Sequence, residues 1–135
     1  MKQISVFIEN TTGAIADFCT LLGDNGIDLL ALSLADTANF GMVRAIVSDK
    51  EKALALLHEF GYAATLTDVM GVVVPDAPGG LARILNLLRQ GQVSIEYLYS
   101  MVRHIDHKAV VIFRVDKPKE AIRIFEENDV GLLDL

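Results

Sequence analysis

The sequence predicts an α+β chain of two ferredoxin-like βαββαβ units, each a four-stranded antiparallel sheet with two helices on one face. Three observations predict it. First, the chain repeats itself: laying Gly13 on Gly79 brings Ile15 onto Leu81, Phe18 onto Ile84, Ile27 onto Val93 and Leu32 onto Leu98. Past the first hairpin the alignment shifts by two residues, so that Val43, Ala45 and Val47 match Val111, Phe113 and Val115. Self-similarity across most of both halves marks a duplication. Second, each half alternates Ile/Val-rich runs with segments of helical spacing in the order of the split βαβ arrangement. Third, 52% of the residues are apolar, ample for a core in each half. The units are expected at residues 1–68 and 69–135.

The elements follow in order. Residues 3–9 and 68–74 are runs of Ile and Val and read as first strands. Residues 13–25 and 79–90 carry Ile15, Phe18, Leu21 and Leu22, then Leu81, Ile84, Leu85 and Leu88, at helical spacing. Residues 28–36 and 94–103 are second strands, paired through the turns DTANFG and HIDH to third strands at 41–48 and 108–115. Second helices fall at 50–60 and 118–127, where Pro118 suits a first turn and Gly61 a helix end. Short strands at 63–67 and 132–134 close the copies. Thr67 and Asp68 are the only polar break between them, so the units are expected to pack together rather than hang on a linker.

Several strands are apolar on both faces: Leu30, Leu32 and Leu34 beside Leu29 and Ala31, and Val110 and Ile112 beside Val111 and Phe113. A sheet covered on one side alone alternates apolar with polar residues. A second sheet, from the other copy or from a second chain, is therefore expected over that face, and with it a homodimer or larger oligomer.

A net charge of −6 argues against nucleic acid, whose phosphates demand clustered Lys and Arg, and against an anionic membrane surface. One cysteine, Cys19, excludes an internal disulfide and suits a reducing compartment. The opening MKQISVFIEN lacks a long apolar stretch and a cleavage pattern, and no segment reaches the roughly 20 apolar residues of a membrane span. A soluble, cytoplasmic protein is expected.

The chemistry concentrates at the turns ENTTGAIADF and PDAPGGLARI, each set between a strand and a helix. The first amides of a helix lack intrahelical partners and lie at the positive end of its dipole. Glycine lets a ligand approach that backbone, so the turn suits a small carboxylate. Asn10 or Asp76, opening each turn, can accept a hydrogen bond from an ammonium. Together these features match the two charged ends of a free amino acid. The plainer alternative is that Asn10 and Asp76 cap the turn, which Pro78 and the glycines shape.

The stretches NTTGAIADFCTLLGDNGIDLLALS and DAPGGLARILNLLRQGQVSIEYLYS resemble the ACT domain, a small regulatory module with an Asp-x-Pro-Gly-x-Leu loop, an apolar helix and a Gly-Ile-Asn-Ile strand opening. The resemblance spans each half once. It implies a regulatory protein that binds a free amino acid at the junction of two ACT domains, between the loop of one unit and the second strand of another. Carried onto this chain, it implies loop contacts at Asn10, Thr12, Gly13, Ala14 and Ile15, and at Asp76, Pro78, Gly79, Gly80 and Leu81. The facing strand positions lie around Leu30, Leu32 and Ser33, and around Glu96, Leu98 and Tyr99. The copies depart from the pattern: Thr12 stands where proline is usual, Gln92 replaces the glycine that frees a helix end for positive φ, and Asp28 and Ser94 replace the motif's asparagine. Glu96, Tyr97 and Tyr99 answer to Leu30, Ala31 and Ser33, a more polar junction that suits a polar or cationic side chain.

Other residues read more plainly. His104 and His107 could pair as metal ligands, but on a hairpin tip without a third strong ligand a solvated turn is preferred. Lys50, Lys52, Lys117 and Lys119 are expected to face solvent. Cys19 reads as a small buried hydrophobe rather than a reactive thiol, and Met42, Met70 and Met101 as core filler. No nucleophile–base arrangement, phosphate-binding lysine loop or catalytic carboxylate pair is present, and no metal or cofactor is expected. The resulting expectation is a free-standing, non-enzymatic regulator, with an amino-acid metabolic enzyme as possible partner. Two alternatives stand beside it. One is a regulatory subunit like the acetolactate synthase small subunit, acting by protein contact. The other is an acylphosphatase-like hydrolase, disfavoured because neither glycine turn carries an arginine and Arg83 lies a turn into its helix.

Overall fold

The computed structural model describes residues 1–36, 39–102, 104 and 107–134. Both hairpin turns therefore lie partly outside the described residues. The chain divides into two compact units, Lys2–Thr67 and Asp68–Leu135, with Met1 grouped with the second.

The first unit runs β1 (Lys2–Glu9), α1 (Ala14–Asp24), β2 (Leu29–Asp36), β3 (Phe40–Val47), α2 (Lys50–Glu59) and β4 (Ala63–Asp68). The second runs β5 (Met70–Val74), α3 (Gly80–Gln90), β6 (Ile95–Ser100), β7 (Ala109–Val115), α4 (Pro118–Glu127) and β8 (Leu132–Leu133). Their sheets have the orders β2-β3-β1-β4 and β6-β7-β5-β8. Each is the expected ferredoxin-like unit.

The cores follow from the two periodicities. In the first unit Ile4, Val6 and Ile8 alternate inward from β1 and meet Val43 and Ala45 of β3, with Phe18 and Leu22 of α1 and Ala53 and Leu57 of α2 above them. The second repeats this with Val72 and Val74, Val111 and Phe113, Ile84 and Leu88, and Ala121 and Phe125. Fully burying each large side chain contributes about 1.5–3 kcal/mol. Met70 belongs to the second core, as expected.

The second strands depart from simple alternation. The register of β2 against β3 slips between Leu29 and Ala31, and that of β6 against β7 between Ile95 and Tyr97. One residue, Leu30 or Glu96, is left out of the ladder, and a bulge of this kind changes which side chains face which way. Leu32 and Leu34 therefore stand opposite Ala45 and Val43 on the helix side, while Ala31, Ser33 and Ala35 stand on the other. In β6, Leu98 faces the helices opposite Phe113, whereas Tyr97 and Tyr99 share the far face, their rings stacked 6.4 Å apart.

All four helices end alike. The amide two residues past the C-cap bonds to the carbonyl five residues back in the pattern Ile27→Leu22, Tyr62→Leu57, Val93→Leu88 and Val130→Phe125, at 2.9–3.0 Å. This Schellman closure needs a left-handed residue just before it. The first unit supplies Gly26 (φ 72°) and Gly61 (φ 83°); the second uses Gln92 (φ 58°) and Asp129 (φ 56°). The absence of glycine at position 92 thus does not prevent positive φ, because the closing hydrogen bonds and the burial of Val93 hold the turn.

Two lysines do more than face solvent. Lys52 Nζ donates to the Asn25 carbonyl at 2.7 Å and Lys117 Nζ to the Gln92 carbonyl at 3.0 Å, so each second helix sends a cation to the C-terminal end of the first. A further device is conserved in geometry but exchanged in chemistry. The Asp28 amide donates to Ser48 Oγ, and the Ser94 amide to Asp116 Oδ1, both at 2.9 Å.

Candidate functional site

Gly13 (φ 87°) and Gly79 (φ 82°) are left-handed N-caps of α1 and α3, and neither helix has a side-chain cap. A Cβ on either would meet nothing within 4 Å, so their need for glycine is conformational, not steric. Gly80 is different: a Cβ there would fall 2.2 Å from the Pro75 carbonyl oxygen, so the loop's own backbone requires this glycine. Ala14 occupies the corresponding position of the first unit.

The amides of Ala14 and Gly80 turn back onto Thr11 and Ala77, and those of Asp17 and Arg83 onto Gly13 and Gly79. Between them the amides of Ile15 and Ala16, and likewise those of Leu81 and Ala82, donate to no backbone carbonyl among the described residues. Two donors at the positive end of each first helix are thus available.

Beside each turn a polar pair bridges the loop to the segment that ends the second strand. In the first unit Asn10 Nδ2 donates to Asp36 Oδ1 at 2.7 Å. In the second His104 Nε2 lies 3.0 Å from Asp76 Oδ2, both side chains more than half exposed. His104 therefore bonds the very carboxylate proposed to meet a ligand, and among the described residues no cluster of three metal-ligating side chains occurs.

A cavity of about 210 Å³ opens against the first turn. It gathers Asn10, Ala14 and Ile15 from the expected loop set and adds Ile8, Glu9, Thr11, Leu34, Asp36 and Gly41. Its origin is visible in the register. Ile8, Gly41 and Asp36 stand side by side across β1, β3 and β2, and the middle position has no side chain. Thr12 and Gly13 are not among its walls, nor are Leu30, Leu32 and Ser33. Alternation from Leu32 and Leu34 to Asp36, and a glycine inside a strand, were the sequence signals for the added residues.

In the second unit the strand positions do not gather on one face. Leu98 faces the helices, Tyr99 the opposite side, and Glu96, at the bulge, accepts a long hydrogen bond from Arg114 Nε at 3.4 Å. Pro78 and Gly79 shape the turn next to Asp76, and Leu81 packs at the edge of the core.

A second pair of grooves occupies matching places at the other side of each first helix. One, about 400 Å³, runs past Thr12, Asp17 and Phe60 in the first unit; the other, about 460 Å³, runs past Arg83, Lys108 and Asp129 in the second. Arg83 there donates to the Asn128 carbonyl at 3.3 Å, closing the end of α4 rather than cradling an anion. Cys19, partly buried in α1, has its thiol pushed up from the ordinary value by burial, which disfavours the reactive thiolate.

Tandem ferredoxin-like units, each with a left-handed glycine opening its first helix, define a regulatory-module fold. The chain belongs to the ACT domain pair family, whose model matches residues 1–134. It is similar to the crystallographic protein BT0572 from Bacteroides thetaiotaomicron, with 38% identity, a TM-score of 0.90, and coverage of 98% of this chain and 90% of that one. The fold also resembles the ligand-free regulatory subunit of aspartate kinase from Thermus thermophilus, at 19% identity and TM-score 0.67, covering 93% and 91% of the two chains. The corresponding subunit from Thermus flavus shares 18% identity, with a TM-score of 0.61 and coverage of 93% and 90%. No curated protein shows a significant sequence match. Among the described residues no helix is long and apolar enough to cross a membrane.

Proposed function

We propose that this ACT pair is an amino-acid-responsive regulator and not itself a catalyst, binding a free amino acid against its glycine turns and passing the signal to an enzyme of amino-acid metabolism. The observation that carries the reading is the pairing of two opposite recognition elements at one place. Free amides at the start of α1 suit the ligand carboxylate, and the carboxylate of Asp36 beside Asn10 suits its ammonium. Asn10, Ala14 and Ile15 are the proposed contacts from the first turn, with Asp76, Gly80 and Leu81 their counterparts in the second. Regulation requires that the ligand favour one arrangement of the protein over another.

Thermal melts with each of the twenty amino acids test the reading. A ligand at a hundred times its dissociation constant adds about 2.7 kcal/mol to stability, a readily measured shift. Absence of a shift with every amino acid at millimolar concentration removes it. We further propose a homodimer. The edge-to-face pair of Phe7 and Phe40, rings 5.1 Å apart and both substantially exposed, supplies apolar surface suited to a second copy. A sedimentation mass of one chain at micromolar concentration overturns that part alone.

A further inference from the structure

The duplicated turns are not equivalent, and the difference lies in the walls around them. In the first unit the row Ile8–Gly41–Asp36 leaves a gap between β1 and β2, because Gly41 contributes no side chain to the core side of the sheet. A Cβ at Gly41 would come within 3.0 Å of Leu34 Cδ1 and 3.4 Å of Ile8 Cγ1, so even a methyl there must displace the cavity wall.

The second unit replaces each of these features. Gly41 becomes Ala109, which pairs with Val74 as Gly41 pairs with Ile8. Leu34 becomes Ser100, and the repeat alignment puts Val102 at the place of Asp36 and Pro75 at that of Glu9. The carboxylate that remains, Asp76, meets His104 as Asp36 meets Asn10, but it opens the turn rather than ending the second strand. The second turn keeps its amides but has a methyl where the gap was and Val102 in place of the Asp36 carboxylate.

We propose that the first unit alone forms the effector site, that Asp36 receives the ligand ammonium, and that Gly41 keeps the cavity open for the side chain. This rests on the reading that the protein binds a free amino acid. Among the described residues the cavity wall has two carboxylates, Glu9 and Asp36, and no cation, while Ile8, Ile15 and Leu34 provide its apolar part. The ligand it takes is an α-amino acid with a neutral or cationic side chain; aspartate and glutamate are excluded by repulsion.

The test uses the full chain and the amino-acid panel at about 10 mM, followed by calorimetric titration with the amino acid giving the largest thermal shift. The expected result is one ligand per chain, no shift with aspartate or glutamate, and affinity at least about tenfold weaker in Gly41→Ala and in Asp36→Asn. Because Gly41 sits in a central strand, Leu34→Phe provides a second way to fill the cavity: Leu34 is 51% exposed, so the larger ring need not enter the core. It too is expected to weaken binding about tenfold or more. Two ligands per chain, unchanged affinity in folded Gly41→Ala or Leu34→Phe, or a leading shift from an acidic amino acid overturns the inference while leaving amino-acid binding intact. No shift with any amino acid removes both.

Discussion

Replacing Gln92 by glycine isolates the energetic consequence of the left-handed helix ends. Gln92 is held at φ 58°, where its first-unit counterpart is Gly26 at φ 72°. A side-chain-bearing residue in that region costs roughly 1–2 kcal/mol, whereas glycine loses about 0.5–1 kcal/mol of additional chain entropy on folding. The difference favours Gln92→Gly by about 0.5–1 kcal/mol. Little opposes this, because the Gln92 side chain is exposed and the turn's hydrogen bonds use backbone atoms: Gln92 N to Arg89 O, Val93 N to Leu88 O, and the carbonyl that accepts from Lys117. Urea unfolding followed by circular dichroism measures the effect, with an unchanged m-value expected. For a unit of this size the melting temperature should rise by roughly 2–8 °C. The reciprocal Gly26→Gln should lose a similar amount, since a Cβ there has open space and only the backbone conformation opposes it. If the units unfold in separate transitions, each substitution should move only its own. A Gln92→Gly variant with an unchanged or lower urea midpoint, or a Gly26→Gln variant as stable as the parent, refutes the reasoning.

Gly80→Ala should destabilise by about 1–3 kcal/mol despite alanine's better helix propensity, because its methyl meets the Pro75 carbonyl, a backbone atom that already accepts from the Ala77 amide. A gain in urea midpoint would contradict the close approach. On α4, Arg123 bonds Glu120 and Glu127, and the guanidinium holds the Glu120 carboxyl below its ordinary value of 4.5 chiefly through that hydrogen bond. A depressed carboxyl contributes stability that is present above the unfolded-state value and disappears as pH falls through the folded one. Arg123→Ala should therefore be less stable than the parent near pH 6, with the gap narrowing below about pH 4.5. A gap independent of pH would show that the ion pairs on this exposed face contribute nothing measurable.

The sequence by itself determined the architecture. Duplication, a period of two in the Ile/Val runs and a period near 3.6 in the helices are local properties, and burial of the resulting apolar faces admits few topologies. The glycine turns were legible for the same reason: left-handed backbone before a helix selects a residue type that a reader can see. What only the tertiary structure decided depends on neighbours distant in the chain. The bulges at Leu30 and Glu96 reset which residues of β2 and β6 share a face, and no local pattern marks where a ladder slips. The hydrogen bonds from Asn10 to Asp36 and between Asp76 and His104 join residues far apart in sequence. Gly41 read only as a strand residue until Ile8 and Asp36 stood on either side of it. A cavity is a property of three strands at once, and its walls come from side chains that the linear order keeps apart.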